Sequence, residues 1–246
     1  MIIRLANLPD LPKIFEIEIE EFGPVGEGAA ASSELLAQRI ELLNANPPGW
    51  FWVAENEDGV VVGDLILQPT DLGPDECTSW NVSTDNGTLR ATFHLGGKNI
   101  FAVSLAIGSH APPGTADRLV RHSLVLRQER NMNYYMFCSR MPGYGEAAAK
   151  RNMTPEEYWQ ATRRDGSPLD GMLREYTDMF GEGPARLLLN GWPVDKASGG
   201  HGVLFAVSKP DLNLACIEMR IRRAEKAQAH KDKKKKRRSN ERKNCP

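Results

Sequence analysis

The stretch that decides the fold is Ile100-Phe101-Ala102-Val103-Ser104-Leu105-Ala106-Ile107, followed by His110-Ala111-Pro112-Pro113-Gly114-Thr115 and an amphipathic run over residues 116–128. The first piece is a continuous apolar strand interrupted only by Ser104. The last carries Leu119, Val120, Leu124 and Val125 on one side, the spacing of a helix packed on a core. Between them, Gly114-Thr115 is turn and cap material. A further strand is predicted at 134–138, after which Arg140-Met141-Pro142-Gly143-Tyr144 turns into helical sequence.

Working outward, residues 1–6 read as a strand and 10–22 as a helix with Leu11, Ile14, Phe15, Ile17, Ile19 and Phe22 on its apolar positions. Ser32 or Ser33 caps a second helix, which stops at Asn46-Pro47-Pro48. Residues 50–55 and 60–68 form a hairpin across Asn56-Glu57-Asp58-Gly59. The polar segment 69–98 reads as an insertion or lid, with 88–94 extended. Thr154-Pro155-Glu156-Glu157 is a helix start with a capping box. Another helix at 169–179 precedes two closing strands, 185–189 and 203–207.

The 246 residues, 41% of them hydrophobic, suffice for one sizeable core. No run reaches the ~18 apolar residues of a membrane span, and the opening lacks a basic patch leading into an apolar stretch. A soluble, unsecreted protein is the expectation, cytoplasmic or nuclear. Cys77, Cys138, Cys216 and Cys245 lie far apart, forming neither a CxxC metal knuckle nor a compact disulfide framework, so no metal site is expected. The net charge of −1 hides a division: residues 218–246 hold 13 Lys/Arg against 4 Asp/Glu, and the rest 18 against 28.

The order strand, two helices, hairpin, long strand, glycine turn, helix, strand, helices and final strands resembles the GNAT acyltransferase superfamily over residues 2–208. Ile3-Arg4-Leu5-Ala6 with Asp10-Leu11-Pro12 is similar to its opening. Val53-Ala54-Glu55 through Asp58-Gly59-Val60-Val61-Val62-Gly63 is similar to its hairpin. Ser139 to Tyr144, Thr154 to Tyr158 and Gly200-His201-Gly202-Val203-Leu204 resemble one branch, the GNAT domains fused to nitrilase-like amidases and the loading modules of polyketide synthases. The resemblance implies an α/β fold: a mixed, mostly antiparallel sheet with splayed fourth and fifth strands and helices on both faces. Residues 1–208 would form the domain and 209–246 a helical or disordered basic tail.

The same resemblance implies acetyl-CoA or another acyl-CoA as co-substrate. Its pyrophosphate would sit where Ile107 leads into Gly114, Thr115 and Ala116, the counterparts of the family's Gln/Arg-x-x-Gly-x-Gly/Ala. The physical basis is a turn of backbone N–H groups reinforced by a helix N-terminus. Ala111 departs from the pattern, Pro113 removes a donor, and Asp117 is expected to place a carboxylate where the phosphate should sit.

Family chemistry is direct transfer from the thioester to an amine, supported by orientation and electrostatics. Ser104 on the fourth strand and Ser139 ending the fifth are the polar candidates for the gap, and Tyr144 is the candidate acid for the leaving thiolate. Arg140 is placed to meet a substrate carboxylate or to form an ion pair. Cys138 as a nucleophile has no His partner nearby, and packing is the commoner role of such a cysteine.

Two further readings follow from the departures. One is a malonyl-thioester decarboxylase or carrier-protein loading domain; its branch uses a Thr and a His where this chain has Ser104 and Ser139. The other is a degenerate GNAT-fold binding module, with the basic run 231–238 meeting nucleic acid or an import receptor.

Overall fold

The computed structural model describes residues 1–243, without the side chains at 232 and 235–243. The strands are β1 (Ile2–Leu5), β2 (Phe51–Glu55), β3 (Val61–Thr70), β4 (Asn99–Ile107), β5 (Tyr135–Arg140), β6 (Arg186–Leu188) and β7 (Gly202–Val207). They form one sheet in the order β1-β2-β3-β4-β5-β7-β6. Every neighbouring pair is antiparallel except β4 and β5. This is the mixed α/β sheet expected from the sequence.

Helices α1 (Leu11–Phe22) and α2 (Ser33–Asn44) cover one face of the sheet, and α4 (Thr115–Glu129) and α7 (Gly171–Phe180) the other. Between them in sequence lie α3 (Trp80–Thr84), α5 (Tyr144–Arg151) and α6 (Pro155–Gln160). The expected caps are present. Ser32 Oγ accepts the Leu35 N–H, and Thr154 and Glu157 form the capping box. A further cap, not anticipated from the sequence, is Asp170, which accepts the Met172 and Leu173 N–H groups. Asn44 ties the end of α2 to the sheet: its side chain donates to the Ala6 and Phe51 carbonyls and accepts the Trp50 and Phe51 N–H groups.

Residues 88–94 are not extended as expected. Thr88 Oγ1 and the Ala91 N–H both bond to the Asp85 carboxylate, and Asp85, Asn86 and Leu89 have positive φ, so local side-chain bonds close turns where a ladder was anticipated. The segment 69–98 is tied down at several points. Arg186 donates to the carbonyls of Pro74, Asp75 and Cys77, Gln68 donates to the Ser83 carbonyl, and Arg39 Nε donates to the Gly87 carbonyl at 2.8 Å.

The segment from 209 onward begins as part of the folded body. Helix α8 (Pro210–Lys243) runs antiparallel along α4, with Asp211 facing Gln128, Asn213 facing Arg127, Glu218 facing Arg121 and Glu225 facing Arg118. It also packs on α7. Asn213 and Ile217 are fully buried and Ile221 nearly so. At ~1.5 Å per residue its 34 residues extend ~50 Å, and its basic far end, 231–238, lies largely outside the described side chains. Cys245 lies outside the described residues altogether.

Candidate active site

Strands β4 and β5 hold register only at Ile100 with Tyr135 and Phe101 with Met136. Beyond these pairs they part. On the other edge of β4, Ile66 faces Ser104 and Leu67 faces Ala102, so Val103 is an extra residue in the ladder. Such a bulge bends its strand and strengthens the local twist. The Val103 carbonyl accepts the Trp80 indole N–H at 2.8 Å, which fastens the 69–98 segment onto the bend.

The parted strands enclose a cleft lined by Ser104 on β4, Ser139 and Arg140 on β5, Tyr176 on α7, Glu21 on α1 and Trp192 from the β6–β7 loop. Ser104 and Ser139, singled out from the sequence, are thus brought together. The Ser104 hydroxyl is buried without a hydrogen-bond partner among the described residues, an unsatisfied polar group at the edge of the cleft. Ser139 Oγ donates to the Arg140 carbonyl at 3.0 Å.

Arg140 is committed to Asp195 through a forked pair, Nε to Oδ2 at 2.7 Å and Nη2 to Oδ1 at 3.2 Å. Asp195 also accepts from the Ser198 hydroxyl, whose oxygen in turn accepts the Met141 N–H. This network fixes the exit of β5. Arg140 attracts Glu21, whose carboxyl is nonetheless pushed upward by desolvation.

Tyr144 is not in this cleft. It opens α5 and is buried, its ring 5.6 Å from those of both Tyr158 and His201. Tyr158 packs beside it, its hydroxyl donating to Asp170. Tyr176, which the sequence reading passed over, is the tyrosine at the cleft. Burial pushes its hydroxyl up to about 12, so it carries its proton at neutral pH. Burial likewise pushes the Cys138 thiol up, away from the thiolate form that nucleophilic attack requires. Neither His94, His110 nor His122 lines the cleft, and His122 packs on Trp52.

At the top of β4, Ile107 pairs with Gly63 and the chain turns through Pro112 and Pro113 to Gly114, which has φ +83° at the N-cap of α4. Thr115 bonds back to the Pro112 carbonyl through its N–H and its hydroxyl. The first bond of the helix, Arg118 N–H to Gly114 O at 3.0 Å, leaves the Ala116 and Asp117 N–H groups ahead of it. These suit an anionic oxygen at the positive helix end.

The expectation that the Asp117 carboxylate occupies the phosphate position is corrected. It is buried against α8, with Oδ1 2.7 Å from Arg220 Nε, so its charge is neutralised. Arg220 also holds Asp178 at 2.7 Å and pairs with Glu175, both on α7. A Cβ placed on Gly114 would lie 3.3 Å from the Ala224 methyl, so α8 bears directly on this turn.

A second cavity lies beyond β4, among α1, α2 and the 69–98 segment. It shares Phe22, Val103, Ser104 and Trp192 with the cleft. Trp80 and Trp192 stack at 5.6 Å on its wall. Among the described residues no cluster of His, Cys, Asp or Glu suits a metal ion, and no helix is long and apolar enough to cross a membrane.

No family model matches the chain, and no curated protein does. Among solved structures, the loading GNATL domain of CurA from Lyngbya majuscula aligns with a TM-score of 0.69 at 19% identity, covering 84% of this chain and 96% of that one. The GphF GNAT-like decarboxylase in complex with isobutyryl-CoA aligns with a TM-score of 0.64 at 21% identity, covering 85% and 99%. The chain has the GNAT fold, as its motifs suggested. Its likeness within that fold extends to loading and decarboxylase domains.

Proposed function

We propose that the protein is an acyltransferase that takes its acyl group from coenzyme A, holds it between β4 and β5 and passes it directly to an amine. The observation that carries this reading is the parting of β4 and β5 immediately after Phe101 and Met136, beside the Val103 bulge, around an unpartnered Ser104 hydroxyl. A thioester carbonyl lodged there would find polar groups preorganised around it in a largely water-free setting, where such groups stabilise developing charge most effectively.

The residues divide the work by position. The Ala116 and Asp117 N–H groups at the start of α4 would hold the pyrophosphate, with Gly114 and Thr115 shaping the turn. Ser104 and Ser139 would flank the acyl group, and Tyr176, protonated at neutral pH, would supply the proton for the leaving thiolate. Tyr144, the sequence-based candidate for that role, would act only through packing.

A second reading is favoured by the two solved structures that align well, a loading domain and a decarboxylase. In it, a malonyl-type thioester loses carbon dioxide in the same cleft and the remaining acyl group passes to a carrier protein. No histidine lines the cleft among the described residues, which favours transfer to an amine.

Thermal unfolding with acetyl-, malonyl- and isobutyryl-CoA tests the site. A ligand at a hundredfold excess over its dissociation constant stabilises the native state by ~2.7 kcal/mol, and Gly114→Glu should remove that gain. Carbon dioxide release from malonyl-CoA without an amine would favour the second reading. No shift with any thioester would leave a GNAT-fold binding module, and RNA or DNA binding with a steep salt dependence would then be expected through α8.

A further inference from the structure

We infer that the second cavity is the acceptor pocket, and that Glu18 anchors there the ammonium group of a compact primary amine. This rests on the transferase reading above.

Glu18 lies on the inward face of α1 and is 3% exposed. Its Oε1 accepts the Ala31 N–H at 2.8 Å, while Oε2 is buried and has no hydrogen-bond partner among the described residues. A buried carboxylate oxygen left unpaired is costly, and this residue lines a cavity large enough to supply the missing donor. The cavity volume is about 200 Å³, below the range of drug-sized pockets and suited to a compact amine.

The pocket also has an outlet in the right place. Ser104, with its own unpartnered hydroxyl, and Val103 face both this cavity and the cleft assigned to the acyl group. An amine held on Glu18 therefore approaches the bulge from the side of α1 and α2, while the thioester lies between β4 and β5. The flat wall made by Trp80 and Trp192 borders the same opening.

The charges around Glu18 favour a donor head. Arg39 on α2, Asp64 on β3 and Glu21 on α1 are the ionisable groups that act within this cluster. Arg39 is buried, donates Nε to the Gly87 carbonyl and lies in the field of both Glu18 and Asp64. Burial holds Asp64 far toward its neutral form. Burial raises the Glu18 carboxyl, the Ala31 N–H and Arg39 draw it back toward the ionised form, and an ammonium on the free Oε2 lone pairs favours that form further. In the reaction the ammonium gives one proton to Glu18, and the freed nitrogen attacks the thioester carbon. The C–N bond forms as the C–S bond breaks. The thiolate takes the Tyr176 proton, and the nitrogen's second proton restores Tyr176.

The test uses the full chain and n-butylammonium as probe, with butyrate and 1-butanol as controls, read by saturation-transfer NMR. Wild-type protein should bind the ammonium and neither control. Glu18→Gln keeps the acceptor for Ala31 and should weaken probe binding about tenfold or more, the scale of one hydrogen bond to a charged group. Ala30→Trp, which adds bulk to the wall of the cavity and leaves the Glu18 carboxylate in place, should abolish it. No binding to wild type, equal binding to Glu18→Gln, or preference for butyrate overturns the inference. The midpoint shift given by acetyl-CoA, measured on the same three proteins, separates the two levels: if it persists while the probe fails, only the acceptor pocket falls, and if it is absent the transferase reading falls with it.

Discussion

Arg220 Nε lies 2.7 Å from Asp117 Oδ1, and this one contact joins the C-terminal helix to the first turn of α4 where a phosphate would be held. The same guanidinium reaches Asp178 and Glu175 on α7. Replacing it with alanine leaves Asp117 buried beside α8 with its charge uncompensated. Arg220→Ala is expected to lower stability by about 1–3 kcal/mol, since two of the three carboxylates are solvent-exposed and only Asp117 is buried. Urea denaturation measures this, and the loss should shrink in an Arg220→Ala/Asp117→Asn double variant.

Ile217 is fully buried where α8 meets the body. Ile217→Ala should cost about 2–4 kcal/mol by cavity formation. Removal of residues 230–246, which follow the Glu225 bond to Arg118, should leave the unfolding midpoint within about 1 °C. If the truncation were as damaging as Ile217→Ala, the assignment of the stabilising contacts of α8 to its first part would be wrong.

Asp64 is completely buried on β3 and neither of its oxygens has a hydrogen-bond partner among the described residues. Burial, reinforced by Glu18, raises its carboxyl well above the usual range. A carboxyl protonated in the native state but ionised in the unfolded chain makes the native state bind more protons. Its contribution is therefore intact below the unfolded value near 4 and declines as pH rises toward the folded value, by up to ~1.4 kcal/mol per pH unit. Asp64→Asn should remove that decline: its stability relative to wild type should be higher at pH 8 than at pH 4 in guanidinium titrations. The opposite trend would mean that Asp64 is ionised and paired in solution.

Tyr176 and Tyr144 make a matched pair, one at the cleft and one away from it. Tyr176→Phe should reduce kcat by about 10²-fold, the lower range for a general acid, with little change in the KM for acyl-CoA. Tyr144→Phe should leave kcat within about twofold. Thiol release measured with a chromogenic disulfide checks both, and the reverse ranking would return the acid role to Tyr144.

What the sequence conveyed depended on periodicity and on local chemistry. The run from Ile100 to Ile107 could be recognised as a buried strand, and Ser32, Thr154 and Gly114 could be placed because caps and turns are short-range devices. Ser104 and Ser139 were found because each lies on a strand whose position the pattern fixed. Tyr176 was missed because α7 is set by its packing on Phe137 and Phe205, a contact between distant segments. Glu18 carried a usable signal, a charged residue next to Ile17 and one turn from Ile14 on the buried side of an amphipathic helix. In α8 the basic run masks the pattern of Leu214, Ile217 and Ile221, whose spacing of three to four residues marks a packed face. Asp117 was misjudged because its partner, Arg220, lies 103 residues away.

The most direct test of the central claim, that a thioester's acyl group lodges between β4 and β5, is the affinity of acetyl-CoA for wild type and for Ala102→Trp by isothermal titration. Ala102 lines the cleft just past the last paired residues, so the indole would fill it. Binding by wild type and a loss of tenfold or more in a folded variant is the expected result. Equal binding by both proteins, or none by wild type, would contradict it.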